Sequence, residues 1–364
     1  MISEKKLLDI YKNAYKHFYE KKENSIHKSL HWERVDSKNF SLENLKNFRD
    51  NSILSSDFDD TSDTFSFKLF RDVVQDTSEE YVLKNLPKEN IGNSNYLIKY
   101  KNSYFNENKL IQINWFSTLE ETVLKKNKIS TLCEIGGGYG SFAEIFINNY
   151  DVKLFSIDLP ETNILNAFYL SRAFPNKKFY LFDDYEKNNF LSYDDFQKND
   201  IIVLPPNCNV DKKIKIDFFM NSRSMMEMNS QAIKSYFDFI HSHCHENGFF
   251  LNINRYEKNS VGEAIRICEY PYDKDWEVVI SKQSFNQIAI HFLLTQRNFH
   301  KSDIFQELAN IKEIGKKYFE NINYKKLKFR KLLIKLIKTI FGIRLINNFG
   351  LKIEKFGYRL KKLK

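Results

Sequence analysis

The pattern of apolar and polar positions divides the chain into three regions. Residues 1–115 carry apolar residues at helix-like spacing, broken by Asp, Asn and Ser, which predicts a mostly helical N-terminal region. Residues 116–300 alternate short apolar runs with helical stretches, as in a parallel sheet with helices on both faces. Residues 301–364 interleave Lys and Arg with Leu, Ile and Phe, which predicts a basic amphipathic helix. The predicted fold class is therefore α/β.

The clearest strand-to-helix transition in the middle region is TLCEIGGGYGSFAEIF, residues 131–146. Its first five residues predict a buried strand, and four of the 11 glycines of the chain follow between positions 136 and 140. Glycines at such a turn let a ligand lie against bare backbone at the N-terminus of the helix. The alternative is a tight turn with positive φ angles, which needs one or two glycines rather than four. We therefore predict a ligand site at this turn.

The spacing of the glycines distinguishes between ligands. A dinucleotide fingerprint requires G-x-G-x-x-G, but Ser141 stands at the third glycine position, and the pattern is E-x-G-x-G-x-G from Glu134. The next apolar run, KLFSID, ends at Asp158, where a carboxylate can accept hydrogen bonds from both hydroxyls of an adenosine ribose. Glu134 is placed to bind an ammonium or to order the loop. An acidic residue here suits a cationic ligand better than a pyrophosphate.

These residues resemble the first motif of the S-adenosylmethionine-dependent methyltransferases of the Rossmann-like class. The similarity extends to IDLPET (157–162), FMNSRSMMEMN (219–229) and LNINRYEK (251–258), which resemble blocks of the sugar O-methyltransferase family of bacterial glycan gene clusters. The resemblance implies a Rossmann-like seven-stranded methyltransferase sheet with helices on both faces. It also implies S-adenosyl-L-methionine as cofactor and O-methyl transfer to a sugar hydroxyl of a bacterial surface glycan or its precursor.

The cofactor contacts that the resemblance implies run from the methionine end to the adenine end: Glu134, Gly136, Gly138, Gly140, Asp158, Leu159 and Asp183. Asp158 would hold the ribose hydroxyls, and Leu159 would lie against adenine. Asp183 or Asp184 would reach the adenine amino group if the preceding run, KFYLF, is the third core strand. The run IIVL at 201–204 is a rival for that position, and the loop after it would then take the role.

Acceptor-side groups are expected beyond the fourth and fifth strands, because ligands bind at the carboxyl ends of parallel strands. Attack of a hydroxyl oxygen on a methyl group needs proximity, orientation and a general base. The candidate catalytic residues are Glu227, Asn221 and His291. The candidate acceptor-binding residues are Ser224, Asn254, Arg255 and Tyr256.

Each main candidate also has a structural alternative. Asn221 is a candidate cap for the next helix, and Glu227 is a candidate solvated carboxylate in its first turn. Arg255 either grips an anionic sugar substituent or pairs with Glu227 or Glu263. His291 lies in an alternating strand, where a buried core histidine is the commoner outcome. The general base therefore stays open between Glu227, His291 and the aspartates at 183 and 184.

The cysteines and histidines do not predict a metal site. The four cysteines form no C-x-x-C pair, which argues against a zinc knuckle or a disulfide framework and favours a reducing compartment. His241, His243, Cys244 and His245 cluster at the end of a predicted helix, where histidines complement the helix dipole and only the first and last share a face. We predict that no metal is bound.

Charge is concentrated at the C-terminus. Residues 311–364 hold 17 Lys or Arg against three Glu, although the net charge of the whole chain is only +9. The basicity thus belongs to an appendage, and no nucleic-acid partner is expected. Residues 320–364 are predicted to lie on an anionic membrane surface; the alternative is docking of their apolar stripe on the protein body or a second copy.

The chain carries neither a signal-peptide pattern nor a run of about 18 apolar residues. We expect a cytoplasmic protein, peripheral on the inner face of the plasma membrane, with a sugar or glycan acceptor that is either free or lipid-linked. Two alternative functions stay open. One is methylation of a lipid or small metabolite, and the other is a non-catalytic membrane-associated scaffold that keeps the fold.

Overall fold

An eight-stranded mixed sheet with helices on both faces forms the centre of the molecule. The computed structural model describes residues 2–29, 41–50, 63–298 and 303–341. The helices are α1 Glu4–Glu20, α2 Leu42–Lys46, α3 Asp63–Asp76, α4 Glu79–Asn85, α5 Glu107–Leu119, α6 Ser141–Asn149, α7 Pro160–Ala173, α8 Phe182–Glu186, α9 Tyr193–Lys198, α10 Ser230–His243 and α11 Ile304–Phe341. The strands are β1 Ile98–Tyr100, β2 Ser103–Phe105, β3 Thr131–Ile135, β4 Lys153–Ile157, β5 Phe179–Tyr180, β6 Ile201–Leu204, β7 Ile216–Ser222, β8 Cys244–Arg255, β9 Trp276–Ser284 and β10 Gln287–Arg297.

The strand order is β5-β6-β4-β3-β7-β8-β10-β9. The first six strands of this order are parallel, whereas β10 runs antiparallel to both of its neighbours. In this order, β4, β5 and β6 lie on one side of β3, whereas β7, β8, β9 and β10 lie on its other side. The gap between the carboxyl ends of β3 and β7 is therefore the topological switch point, where open α/β sheets bind ligands.

The mixed α/β class is confirmed and is consistent with a Rossmann-like methyltransferase fold. The predicted count of seven strands is wrong for the described sheet, which has eight, because β5 adds a two-residue edge strand. The run IIVL, as β6, holds the position beside β4. All four of its residues are buried, which suits a strand covered on both faces. The run KFYLF forms only β5 before Asp183 and Asp184 begin the first turn of α8.

The two faces of the sheet are covered by different helices. Phe218 and Phe219 are adjacent in β7 and therefore point to opposite faces. Phe218 packs on Phe146 of α6, with ring centroids 5.6 Å apart. Phe219 packs on Phe239 of α10, with ring centroids 6.1 Å apart. The core is thus aromatic on both sides of the sheet.

In the described part of the N-terminal region, the regular elements other than the hairpin of β1 and β2 are helices, and α1 joins this part to the sheet-covering helices. Glu4 of α1 forms an ion pair with Arg172 of α7 at 2.7 Å. Tyr19 Oη donates a hydrogen bond to Glu161 Oε1 of α7 at 2.8 Å. These two contacts with α7 direct the segment that follows α1 toward the switch point.

The chain divides into two compact units, Met1–Ile311 and Lys312–Lys364. The predicted boundary at residue 115 falls inside the first unit. The predicted tail begins as a helix, because α11 is described to Phe341. The part of the predicted membrane-binding segment at residues 342–364 lies outside the described residues. No helix in the described ranges is long and apolar enough to cross a membrane.

Candidate functional site

The turn after β3 exposes its backbone at the switch point. Gly136, Gly138 and Gly140 have φ angles of +67°, +59° and +88°, a region that side chains with a Cβ adopt only with strain. At Gly138, a Cβ would meet no heavy atom of the described residues within 4 Å. The middle of the turn therefore presents bare backbone to open space at the switch point.

The flanking glycines are required by close packing within the protein. A Cβ at Gly136 would lie 1.7 Å from Ser224 Oγ, and one at Gly137 would lie 2.3 Å from Glu134 Oε2. Ser224, a predicted acceptor residue, is thus pressed against the glycine turn. Glu134 lies directly beneath it.

Asp158 follows β4 and contacts this turn. Its Oδ2 accepts a hydrogen bond from Gly138 N at 3.0 Å, and its Oδ1 accepts one from Leu159 N at 2.7 Å. Burial raises the pKa of Asp158 to about 7, although the two backbone donors oppose the shift. Each carboxylate oxygen keeps a further lone pair for a ligand hydroxyl. Leu159 itself is buried at the start of α7.

Glu134 is a buried carboxylate with an unsatisfied oxygen. The residue is 1% exposed, and its Oε2 has no hydrogen-bond partner among the described residues. Burial, followed by the charge of Asp158, raises its pKa well above the usual range, and Lys109 opposes the shift. Burial of an unpaired carboxyl is costly, so this arrangement fits a site that is completed by a cationic or hydrogen-bond-donating ligand.

Asn221 and Asn254 shape the loop after β7 from within the core. Both are 0% exposed. Asn221 Nδ2 donates to Ile135 O at 2.7 Å, and its Oδ1 accepts from Met225 N and Asn254 Nδ2 at 3.1 and 2.8 Å. Asn254 Oδ1 accepts from Met226 N at 3.1 Å. These contacts occupy both amides, so each residue holds the loop in place instead of facing a ligand.

Glu227 is the predicted catalytic residue that stays partly accessible. Its side chain is 20% exposed and forms an ion pair with Lys258. Its backbone carbonyl accepts a hydrogen bond from Ser29 Oγ at 2.6 Å. Its charge reaches Asp158 and contributes to the raised pKa of that residue. Glu227 therefore lies near the cofactor-side candidates and contacts the N-terminal segment.

His291 is enclosed beneath Tyr256. The histidine is 1% exposed, with Nε2 at 2.8 Å from Ser281 Oγ and Nδ1 at 3.4 Å from Tyr256 Oη. Burial lowers the pKa of His291 to about 4, so the imidazole is neutral at pH 7. The Ser281 hydroxyl also donates a hydrogen bond to the Glu307 carboxylate near the start of α11. The histidine thus belongs to a buried hydrogen-bonded chain.

Asp183 lies apart from the other cofactor candidates. Its helix follows the edge strand β5, which β6 separates from β4. Its carboxylate lies 3.4 Å from Lys6 Nζ. The assignment of Asp183 to adenine required KFYLF to be the third strand, and that premise is wrong. The loop after β6, including Asn207, instead borders a cavity of about 190 Å³ together with His27 and Tyr236.

Residues 24–29 pack on the segments that follow β6 and β7, which the sequence did not predict. Asn229 Nδ2 donates to Ile26 O at 2.6 Å, and Asn207 Nδ2 donates to Asn24 Oδ1 at 2.8 Å. His27 is 5% exposed with both ring nitrogens unpartnered among the described residues. These contacts join positions about 180 to 200 residues apart, which no local pattern could indicate.

Arg223 was also missed, although it lies inside the FMNSRSMMEMN block. Its φ of +59° is a strained conformation for a long side chain, and such strain is concentrated at functional sites. The only signal for this residue in the sequence is an arginine between two serines. Arg255, which was predicted, is exposed at the end of β8.

Two histidines of the cluster at the end of α10 contact aromatic side chains. His241 Nε2 accepts from Trp276 Nε1 at 3.1 Å. His243 stacks on Phe239 with ring centroids 4.3 Å apart. Within the described ranges, no group of three His, Cys, Asp or Glu side chains is arranged to hold a metal ion.

No protein-family model and no curated protein matches this sequence. Solved structures similar to about half of the chain include 1,6-didemethyltoxoflavin-N1-methyltransferase of Burkholderia thailandensis, determined with S-adenosylhomocysteine bound, at 11% identity, over 52% of this chain and 78% of that one, with a TM-score of 0.36. The mitomycin 7-O-methyltransferase MmcR is similar at 12% identity, over 52% of this chain and 57% of that one, with a TM-score of 0.32. The Escherichia coli methyltransferase yhhF is similar at 8% identity, over 50% of this chain and 84% of that one, with a TM-score of 0.33. The match spans little more than half the length of the mitomycin enzyme. Scores of this size establish no shared activity, and the fold is defined here by its strand order.

Proposed function

We propose that this protein is an S-adenosylmethionine-dependent O-methyltransferase that acts on a sugar hydroxyl of a bacterial surface glycan or its precursor. One observation carries the proposal. The open backbone at Gly138 lies at the switch point beside the Asp158 carboxylate, and the unsatisfied, buried Glu134 lies beneath the same turn. Such a site suits a ligand that has hydroxyl donors at one point and positive charge near another.

S-adenosylmethionine fits this donor and acceptor set. Its ribose hydroxyls would donate to the free lone pairs of Asp158, its positive charge would compensate Glu134, and its chain would pass over Gly138. A dinucleotide fits less well, since a buried carboxylate opposes a pyrophosphate and Ser141 replaces the third glycine. The antiparallel β10 between β8 and β9 also differs from the classic dinucleotide order 3-2-1-4-5-6.

The cofactor, when bound, supplies a methyl group on a sulfonium centre. The protein would contribute orientation, exclusion of water and removal of the acceptor proton. Glu227 is the proposed base, because its carboxylate is partly accessible near the switch point, where it pairs with Lys258. Asn221 would position the loop that carries Glu227, and neutral His291 would orient the Tyr256 hydroxyl.

The sugar acceptor is supported by the FMNSRSMMEMN and LNINRYEK blocks, which resemble those of sugar O-methyltransferases. Ser224, Glu227 and Arg255 from these blocks remain at least partly exposed. The N-terminal segment would cover the acceptor, because Ser29 contacts the Glu227 backbone. Partly exposed polar and charged side chains of this kind suit a hydroxyl-rich acceptor.

Calorimetric titration with S-adenosylmethionine and S-adenosylhomocysteine tests the cofactor assignment. We expect micromolar binding to the wild-type protein and a loss of at least about 100-fold in Asp158→Ala, because two charge-assisted hydrogen bonds would be removed. The control variant is Asp151→Ala, whose side chain is fully exposed and whose loss should leave the affinity unchanged. NAD should not bind. Failure of both sulfur ligands to bind the wild-type protein would overturn the methyltransferase proposal.

Cofactor affinity should also depend on pH through Asp158. Its pKa is raised to about 7 in the folded protein, so protonation of this carboxyl group stabilises the folded state at low pH. That stabilisation is lost as the pH rises through 7. Ribose hydroxyls need the ionised form as acceptor, so binding should strengthen over the same range. For one such proton, the dissociation constant of S-adenosylhomocysteine should rise about 25-fold from pH 7.5 to pH 5.5. Calorimetry across this range should show a flatter profile for Asp158→Asn, and an equally steep profile in that variant would exclude Asp158 as the source.

A further inference from the structure

Arg223 and Arg255 lie side by side at the carboxyl edge of the sheet. Ser222 of β7 pairs with Ile253 of β8, and Arg223 N donates to Ile253 O at 2.7 Å. Arg255 is two residues beyond Ile253 and so points to the same face of the sheet. Arg223 reaches α5, which covers that face. The two guanidinium groups therefore extend from neighbouring strand ends on one side of the switch point.

The direct contacts of the Arg223 guanidinium with described residues are to neutral side chains. One N–H donates to Asn108 Oδ1 at 2.9 Å, and the group lies over the Trp115 ring, 5.9 Å from its centroid. A guanidinium has five N–H donors, so four are left without an acceptor among the described residues. Burial lowers the pKa of Arg223, and Arg255 adds to this effect, while Glu227 and Glu107 oppose it.

Neither arginine has a carboxylate within salt-bridge distance in the described part of the chain. The predicted alternative, pairing of Arg255 with Glu227 or Glu263, is not formed. Glu227 pairs with Lys258, and Glu263 accepts from Ser230 N at 2.8 Å. The left-handed backbone at Arg223 is strained, and such a conformation persists where the surroundings enforce it. Among the described residues, neither arginine at the acceptor end of the site is held in an ion pair, and Arg223 is stabilised only at longer range by the charges of Glu227 and Glu107.

We infer that Arg223 and Arg255 bind an anionic oxyacid group, a carboxylate or a phosphate, on the acceptor sugar. Paired guanidinium groups suit this chemistry, because each offers parallel N–H donors that match two oxygens of one anion. The inference rests on the proposed function and specifies its substrate class. The acceptor is a uronic acid or a phosphorylated sugar, and neutral sugars bind poorly.

The test is ligand-observed NMR on the full-length protein saturated with S-adenosylhomocysteine. The probes are glucuronic acid, glucose 6-phosphate and glucose. We expect at least one anionic probe to bind at least tenfold more tightly than glucose. Arg223→Gln and Arg255→Gln should each reduce that affinity at least tenfold. Arg71→Gln, which removes an exposed arginine from α3, should leave it unchanged.

A second variant distinguishes loss of the guanidinium from loss of folding. Arg223→Gly removes the same guanidinium at a φ that suits glycine, so it should fold and lose the anion preference. Selective binding of glucuronic acid would indicate a carboxylate, and selective binding of glucose 6-phosphate a phosphate. Equal binding of all three probes, no binding of either anion, or binding that persists in the Arg223 and Arg255 variants would overturn the inference. Retention of S-adenosylhomocysteine in these variants separates that outcome from failure of the cofactor assignment.

Discussion

Replacement of Lys109 by Met should lower the free energy of unfolding by about 3–5 kcal/mol, because it leaves a buried carboxylate without its cation. Lys109 Nζ lies 2.6 Å from Glu144 Oε2, with the two side chains only 5% and 6% exposed. The same ammonium donates to Ser141 O at 2.7 Å. In the variant, Glu144 would keep the hydrogen bond from Tyr169 Oη at 2.8 Å, which does not replace a positive charge.

The measurement is urea denaturation followed by circular dichroism, with Lys68→Met as the matched control. Lys68 pairs with Asp72 at 2.6 Å on the surface of α3, where the side chains are 64% and 37% exposed. Exposed pairs of this kind contribute about 0.3–0.5 kcal/mol. A loss in Lys109→Met no larger than that of the control would show that the buried pair does not stabilise the fold. Lys109→Met combined with Glu144→Leu should recover part of the loss, since an apolar pair carries no unpaired charge.

This ion pair links folding to the site. It joins α5 to the first turn of α6, which begins one residue after Gly140. The positive charge of Lys109 also opposes the raised pKa of Glu134. The glycine turn is thus held between a buried cation on one side and the β7 loop on the other. Weakening of the pair should loosen the turn before it unfolds the sheet.

The parts of this arrangement that could be predicted from the sequence depend on neighbouring residues. The strand, glycine turn and helix around Gly138 follow from apolar runs and glycine spacing, and the position of Asp158 follows from the next apolar run. The assignment of the third strand could not be made in this way, because KFYLF and IIVL are both short runs that suit a buried strand and differ in their pairing with β4. Pairing is decided by the whole sheet.

Contacts between distant positions were the main feature that the sequence could not predict. Lys109 and Glu144 are charged residues of the kind usually found on a helix surface, and their burial becomes evident only when α5 packs on α6. The enclosure of Asn221 and His291 depends on strands β8 and β9, which their own local patterns do not identify. Arg223 was overlooked because a φ angle is a property of the loop and not of the residue type. The residue types on both sides of the candidate site could therefore be read from the sequence, but the buried contacts that hold its acceptor side could not.

Alanine at Gly136 should mainly reduce stability, whereas alanine at Gly138 should mainly reduce cofactor binding, although the two residues share a left-handed φ. In Gly136→Ala, the new methyl group would lie 1.7 Å from Ser224 Oγ, so overpacking and backbone strain together should lower the free energy of unfolding by about 3 kcal/mol or more. In Gly138→Ala, the methyl group enters open space, and only the backbone strain of about 1–2 kcal/mol remains. That open space is where the cofactor is proposed to lie. Gly138→Ala should therefore fold but bind S-adenosylhomocysteine at least about 100-fold more weakly.

Denaturation and calorimetry on the same preparations separate the two effects. Asn189→Ala serves as the control for Gly138→Ala, because Asn189 has a φ of +50° in the loop between α8 and α9, away from the glycine turn. Gly136→Ala with Ser224→Gly should regain stability, since the clashing hydroxyl is removed while the strain is kept. If Gly138→Ala bound S-adenosylhomocysteine as tightly as the wild-type protein, the ligand could not pass over this backbone. The open turn would then be a packing feature, and the unsatisfied Glu134 Oε2 would need another partner.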